Sequence, residues 1–415
     1  MQKVELLAPA GNFEKLEIAV HYGADAVYIG GKDFSLRNFS GNFTDDELAT
    51  AVEFAQSRGV KVYVACNVYP RNFELQAIER HLTGLGEINP DAVILSDPGI
   101  IMIAKEHIPH IPIHISTQTN TTNYKSALFW RKMGVKRINC ARELSLSEIK
   151  VIVSKSLLEI EAFVHGAMCI SYSGRCLLSS FMANRDSNRG MCCHPCRWKY
   201  AVVEELRPGK YYPIAEDDHG SYIFNSKDLC MIRHIPELIR SGIASFKIEG
   251  RMKGINYLAT VVKVYREAID LFYDNPASSE SGDDWVEDLA KVSHRGYCTG
   301  FYLGNPEETA PNYSNLLCGA EYLFAGKVLT EAKEGCVKVD VRNRIFKGDK
   351  IDILSRHNRT RRDRIADIFD QEGASIPVAQ PGSRVTLRLS TNCMPNDLLK
   401  KKIAVHALSN IPKQP

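Results

Sequence analysis

The stretch Val4-Glu5-Leu6-Leu7-Ala8-Pro9-Ala10-Gly11-Asn12, its amphipathic continuation to Tyr22, and the run Ala26-Val27-Tyr28-Ile29-Gly30 set the fold. A short apolar run ends in a turn, a helical pattern follows, and a second apolar run begins. That order reads as strand, helix, parallel strand. Working outward, the unit recurs. Val62 to Cys66, Ala92 to Ser96, Ile113 to Ser116, Arg137 to Ala141, Ile160 to His165 and Ala244 to Glu249 bring the runs to eight, with helical patterns such as Thr44 to Arg58, Asn123 to Met133 and Ser145 to Ser154 between them. Eight strand-helix units predict an α/β fold, a (β/α)8 barrel of the TIM type, with a doubly wound sheet as runner-up. The first turn, Ala8-Pro9-Ala10-Gly11, is not the GxGxxG fingerprint, which counts against the runner-up.

The seventh run ends at His165 and the eighth begins at Ala244, so about 75 residues stand where a barrel uses one loop and one helix. Loops after strand C-termini build barrel active sites, and this Cys-rich insertion, 166–225, is therefore expected over the site. Asn225-Ser226-Lys227-Asp228-Leu229 onward to Arg240 reads as the seventh helix, capped by Asn225 or Ser226. The barrel with its insertion is assigned to 1–275, and a polar linker with a helical connection to 276–319. Short alternating runs then predict a small all-β barrel domain over 320–410: Leu323 to Leu329, Cys336 to Val341, Asp349 to Leu354, Ile365 to Phe369 and Arg384 to Leu389.

At 44% hydrophobic and 24% charged, the 415-residue chain falls outside the disordered, collagenous and coiled-coil classes. Its formal net charge of +3 excludes a polycation, so nucleic-acid binding must come from a local patch. No apolar leader and no apolar stretch of about 18 residues is read, and a cytoplasmic protein without a membrane span is expected. In a reducing compartment its twelve cysteines point to metal or catalysis rather than disulfides.

The strongest chemical signal is Cys169-x6-Cys176-x15-Cys192-x3-Cys196, set among Gly166, Gly174, Gly190 and Pro195. Four thiolates on glycine-rich loops suit an iron-sulfur cluster or an all-cysteine zinc site, and the lack of paired CxxC turns argues against a zinc ribbon. Cys193 or His194 could replace one ligand. Asn67, Ser96-Asp97, Ser116-Thr117-Gln118, Arg142-Glu143, His165 and Lys247-Ile248-Glu249-Gly250-Arg251 fall at strand ends near one mouth. Arg142, Lys247 and Arg251 there favour an anionic substrate, while ordinary strand-end ion pairs are the bland alternative. His165 reads as a proton carrier or a satisfied core histidine, and Glu249 as a base or merely the partner of Lys247 and Arg251. Arg185, Arg189, Arg197, Trp198 and Lys199 surround the cysteines, and Arg356 to Arg364, with Arg359, Arg361 and Arg362, occupies an expected hairpin. Such clusters grip RNA backbone or are simply solvated.

Glu161-Ala162-Phe163-Val164-His165-Gly166-Ala167-Met168-Cys169-Ile170-Ser171-Tyr172-Ser173-Gly174-Arg175-Cys176 resembles the signature of the collagenase-like peptidase family of unknown catalytic type. Glu5 to Gly11, Gly23 to Tyr28, Ser96 to Gly99, Arg142 to Ser145, Asn225 to Leu229, Lys247 to Arg251 and His294 to Tyr297 extend the resemblance, and they resemble its tRNA-hydroxylating branch. The resemblance implies a tRNA uridine hydroxylase: prephenate-dependent, oxygen-independent C5 hydroxylation of the wobble uridine, giving 5-hydroxyuridine. It implies a 4Fe-4S cluster on Cys169, Cys176, Cys192 and Cys196. Arg142, Lys247, Arg251 and Arg175 are then expected at prephenate, His165 or Glu249 at the proton, and Arg197, Arg359, Arg361 and Arg362 at the tRNA anticodon arm. No HExxH or GxSxG motif is present, which leaves a collagenase-like peptidase as the alternative and a non-catalytic RNA-binding protein as the third reading.

Overall fold

Leu6, Leu7 and Ala8 are fully buried, as are Ala26, Val27 and Ile29, so the first two strands are covered on both faces. Two-sided burial is what a parallel barrel wall requires, and it explains why these runs read as continuously apolar. The computed structural model describes residues 3–36, 41–169, 171–172, 174–197, 216–217, 220–221, 227–276, 282–304 and 322–402, with backbone alone at 181, 197, 216–217 and 220–221. Strands β1 (Glu5–Pro9), β2 (Ala26–Gly30), β3 (Lys61–Cys66), β4 (Ala92–Leu95), β5 (Ile113–Ile115), β6 (Arg137–Asn139), β7 (Glu159–Ala167) and β9 (Ser245–Ile248) pair in sequence, all parallel. Ser245 lies opposite both Glu5 on β1 and Glu161 on β7, which closes the ring. The expected (β/α)8 barrel is therefore the fold.

The connecting helices begin on short polar caps. Asn12 caps α1 (Phe13–His21), Asp97 caps α4 (Pro98–His107) and Asn123 caps α5 (Tyr124–Lys132). Thr44 with Glu47, and Ser145 with Glu148, form capping boxes at α2 (Asp45–Gln56) and α6 (Leu146–Ser156), while α3 (Leu75–Ile88) and α7 (Leu178–Ala183) start without a side-chain cap. Each cap satisfies amides that the first turn leaves unpaired and stabilises its helix by about 1 kcal/mol.

Inside the barrel the lining divides. Leu7, Ala26, Tyr28, Tyr63, Ala65, Ala92 and Ile94 form an apolar cluster. Beside it Arg137 donates to Glu5 at 2.5 Å, Tyr63 and Ser245 donate to the same carboxylate at 2.7 and 2.9 Å, and Lys247 donates to Glu161 at 2.7 Å. Burial alone would raise the Glu5 carboxyl, but the Arg137 guanidinium and these hydrogen bonds hold it below its usual range.

One expectation is corrected. The chain from Asp228 does not start a helix. Asp228–Cys230 forms a strand, β8, antiparallel to His165-Gly166-Ala167 of β7 and parallel to β10 (Tyr297–Cys298). The helix α8 covers only Ile235–Arg240, and the expected caps Asn225 and Ser226 lie outside the described residues. A three-residue strand carries no periodicity, and its partners are about 60 residues away, so local pattern could not have shown it.

The 20-residue helix α9 (Ile255–Asp274) is buried along much of its length. Its Tyr265 hydroxyl donates to the Val164 carbonyl at 2.7 Å and accepts from the Met231 amide at 3.0 Å, tying helix to barrel wall. The chain divides into two compact units, the second comprising Glu287–Ser293 and Cys318–Pro415. Its described strands β11 (Tyr322–Val328), β12 (Cys336–Val341), β13 (Lys350–Leu354), β14 (Arg361–Arg364), β15 (Asp367–Phe369), β16 (Arg384–Arg388) and β17 (Leu398–Lys402) form one antiparallel sheet in the order β14-β13-β17-β11-β12-β16-β15. Val337, Val339, Ile351, Ile353, Leu387 and Leu399 fill its core. Among the described residues no helix is long and apolar enough to cross a membrane.

Candidate functional site

Strand alternation turns every second residue of β6, β7 and β9 into the barrel, and their polar members build an inner chamber at the C-terminal end of the strands. Asn67, Ser116, Thr117, Gln118, Asn139, Arg142, Lys247, Glu249 and Arg251 line it together with Tyr28 and Phe163, around 540 Å³ of space open to solvent. Arg142 is its hub. The guanidinium stacks on Phe163 at 4.1 Å, lies 3.8 Å from the Glu249 carboxylate and donates to Cys169 Sγ at 3.5 Å. Arg142 Nε is buried without a hydrogen-bond partner, and so are Asn139 Oδ1 and Gln118 Oε1.

An outer chamber of 1190 Å³ shares Thr117, Gln118, Arg142 and Glu249 with the inner one, so the two are joined at these residues. Cys169, Cys176, Cys192 and Cys196 all line it, with His194, Lys253, Arg295 and the half-exposed Tyr172. The Cys-rich segment is held over the mouth by specific interactions. Arg189 donates to both oxygens of Glu74, at 2.8 and 2.5 Å, and to the Tyr69 carbonyl at 3.3 Å. That paired guanidinium holds the Glu74 carboxyl below its usual range. Gly174, at φ +74°, packs where a Cβ would lie 2.6 Å from the Gln118 carbonyl. Cys193 turns aside, with its sulfur 3.3 Å from the Ser179 hydroxyl, and it does not line the chamber.

Four soft sulfur donors around one cavity match the donor set of an iron-sulfur cluster. Cys169 is exposed and Cys176, Cys192 and Cys196 are half-buried. Burial instead pushes the thiols of Cys66, Cys140 and Cys393 up to about 12, the behaviour of inert core cysteines. Among the described residues no three His, Cys, Asp or Glu side chains converge closely enough to hold one metal ion.

The other sequence-predicted residues separate. Glu249 lines both chambers. Lys247 and Arg251 line the inner one, with Lys247 bound to Glu161 and Arg251 donating to Ser35 at 2.8 Å. His165 lines neither. It is fully buried among Tyr257, Tyr265 and Tyr297, at ring distances of 5.4 to 5.8 Å, and burial lowers it to about 3, so it is a neutral imidazole behind the site. Arg175 is exposed, and the Arg197 side chain lies outside the described residues. In the second unit β13 and β14 form the expected hairpin, with Arg359 and Arg362 exposed. Arg361 turns inward, donating to Ser355 Oγ at 3.1 Å and to the Asn392 carbonyl at 2.9 Å.

Sequence reasoning missed Asn139 and Lys253. Asn139 shares its strand face with Arg137, and that spacing of two was the available signal.

The chain matches the model of peptidase family U32 over residues 11–312 and that of the peptidase family U32 C-terminal domain over 320–400. It is 40% identical over 402 residues to the tRNA hydroxylation protein P1 of Bacillus subtilis, covering 96% of this chain and 95% of that protein. It is 37% identical over 439 residues to the tRNA hydroxylation protein P of Escherichia coli, with 96% and 95% covered. A collagenase of Porphyromonas gingivalis is 32% identical over 312 residues, with 72% and 73% covered. With both of its parts matched in order, the chain belongs to peptidase family U32.

Proposed function

We propose that this protein is a tRNA-modifying enzyme that hydroxylates C5 of the wobble uridine without dioxygen, using prephenate and an iron-sulfur cluster held by Cys169, Cys176, Cys192 and Cys196. The observation that carries this reading is the position of Arg142, which touches Cys169 on one side and lines the inner chamber on the other. The names of the relatives from B. subtilis and E. coli supply the class of substrate.

Replacing C5–H by C5–OH removes two electrons from the base and adds one oxygen atom. In this reading the C–O bond of prephenate's ring hydroxyl breaks, the oxygen bonds to C5, and the carbon that lost it takes up the two electrons together with the proton released from C5, relayed by Glu249. A 4Fe-4S cluster, when bound, supplies one-electron transfer beside both substrates. The chain's own residues do the rest. Arg142 orients the carboxylate of the co-substrate through a bidentate guanidinium, and Glu249, which faces both chambers, accepts the proton released from C5. Lys253 lines the outer chamber, where its charge suits the phosphates flanking a splayed base, while Arg295 on the same wall is paired with the buried Asp228.

Purification without air, absorption spectra, iron analysis and nucleoside analysis of tRNA from a deletion strain test this together. Visible absorption with about four irons per chain and loss of 5-hydroxyuridine-derived nucleosides are expected. Normal modification in a strain with no second homologue would sink the hydroxylation reading. Stoichiometric zinc in a colourless protein would overturn the cluster, and collagen cleavage that survives loss of all four cysteines would support a peptidase.

A further inference from the structure

We propose that the outer face of the sheet made by β12, β16 and β15 in the second unit binds a single-stranded segment of RNA, with Lys338 and Arg384 on phosphates and an unpaired base on Arg388. This deepens the proposed function and rests on its tRNA substrate. The ladder register builds the face. Thr386 of β16 stands between Lys338 of β12 and Phe369 of β15, and Arg388 stands between Cys336 and Asp367. The alternate residues Val337, Val339, Val385, Leu387 and Ile368 are buried in the core, so strand alternation turns the first set outward. Lys338, Arg384 and Arg388 are all exposed. They lie toward the opposite edge of the sheet from the β13–β14 hairpin, which makes this a second basic surface, and their spacing over two strands hides it from any single run of sequence.

The register also crowds the charge. Lys338 has Arg384 and Arg388 as its two diagonal neighbours across the ladder, about 7–8 Å away. Like charges at that spacing repel, and the carboxylates of the face do not relieve them. Arg342 pairs with Asp340 at 2.9 Å and Lys347 pairs with Asp367 at 3.1 Å. Among the described residues no carboxylate reaches Lys338, Arg384 or Arg388 at ion-pair distance. A polyanion supplies the missing counter-charge, and each phosphate neutralised there releases counterions. Arg388 adds a feature that charge alone does not explain. Its guanidinium lies over the half-buried Phe369 ring at 5.2 Å, a cationic plane backed by an aromatic one. Unpaired bases stack on such planes, whereas a run of acidic side chains brings charge without a flat ring.

The test is titration of the full-length protein with unmodified tRNA from the deletion strain, with a single-stranded oligouridylate and with an RNA duplex of equal charge, each over a range of salt concentrations. The wild type is expected to prefer the single strand to the duplex. Lys338→Gln with Arg384→Gln should flatten the plot of log affinity against log salt by about 0.7 for each phosphate no longer neutralised. Arg388→Lys keeps the charge and loses the plane, so it should weaken oligouridylate binding about tenfold with the slope unchanged. All three side chains are exposed, and melting curves show whether the variants are folded. A wild-type slope in the double variant, or wild-type affinity in Arg388→Lys, overturns the inference and leaves tRNA as the substrate. Equal affinity for duplex and single strand also overturns it. Polyglutamate that competes as well as oligouridylate does would assign the face to an acidic protein instead. If the wild type binds none of the three RNAs, the surface assignment falls, and nucleoside analysis of the deletion strain decides the hydroxylation reading independently.

Discussion

Arg142 joins three kinds of interaction that no other basic side chain can reproduce: a stacked plane on Phe163, one arm of its fork donating to Cys169 and the other 3.8 Å from the Glu249 carboxylate. Lysine keeps the charge and loses the plane and the fork. Arg142→Lys should therefore lower hydroxylation of tRNA by about tenfold to a hundredfold with iron content retained, because misplacing a bound reactant is costly even when binding survives. Wild-type turnover by this variant would remove Arg142 from the mechanism. His165 leads to a different prediction. Its imidazole is lowered by burial, and secondarily by Lys253 and His294, to about 3, against a value near 6.5 in an unfolded chain. Between those values the unfolded chain takes up a proton that the native protein refuses, so stability is present above about pH 6.5 and falls on acidification, by at most about 1.4 kcal/mol per pH unit from this residue. His165→Phe should shrink the loss in urea midpoint between pH 7 and pH 5. An unchanged loss would mean that other groups, such as the equally buried His114, account for it. The sequence left His165 between proton carrier and core residue, since both readings place it on the same strand. What separates them is the three tyrosines brought from α9 and β10, and that is tertiary information.

Among the elements, β7 and β8 show where local pattern stops being informative. β1 to β4 and β7 were legible because each carries at least three β-branched or apolar residues, whereas β5, β6 and β9 carry two, one and two and were read from their place in the strand-helix alternation. β8 is three residues long and gains its identity from the ladder to β7 and from the buried pair between Asp228 and Arg295. That pair joins the two sequence motifs around Leu229 and Tyr297, which are otherwise about 70 residues apart. Asp228→Ala leaves the Arg295 guanidinium buried beside a removed partner, and breaking such a pair costs about 3–5 kcal/mol. A clear fall in the thermal midpoint of the barrel unit is expected, and an unchanged midpoint would show that the pair is dispensable. Gly166 on β7 is legible only in hindsight. At φ +108° its Cβ would meet the Glu249 carbonyl at 2.4 Å, so this glycine lets the strand end approach the residue that faces both chambers.

For the whole molecule, the four spaced cysteines reach one cavity because they belong to a single segment that follows β7 at the barrel mouth. The basic runs were less legible. Composition could not say which arginines of Arg356 to Arg364 point outward, and β-sheet alternation decides it: Arg362 and Arg364 face solvent, while Arg361 is held by Ser355 and Asn392. Under the proposed function, exposed arginines that meet phosphate act additively and sensitively to salt, since each neutralised phosphate releases counterions from the nucleic acid. Arg359→Glu and Arg362→Glu together should therefore weaken tRNA binding and flatten the plot of log affinity against log salt by about 0.7–0.9 for each phosphate no longer neutralised, leaving prephenate stabilisation intact. Arg361→Glu should instead lower the melting temperature of the second unit, because it breaks the hydrogen bonds that hold the hairpin to its neighbours. Titrating tRNA between 50 and 200 mM salt separates these outcomes. An unchanged slope in the double variant would assign this hairpin to solvent and leave RNA binding to the other basic surfaces.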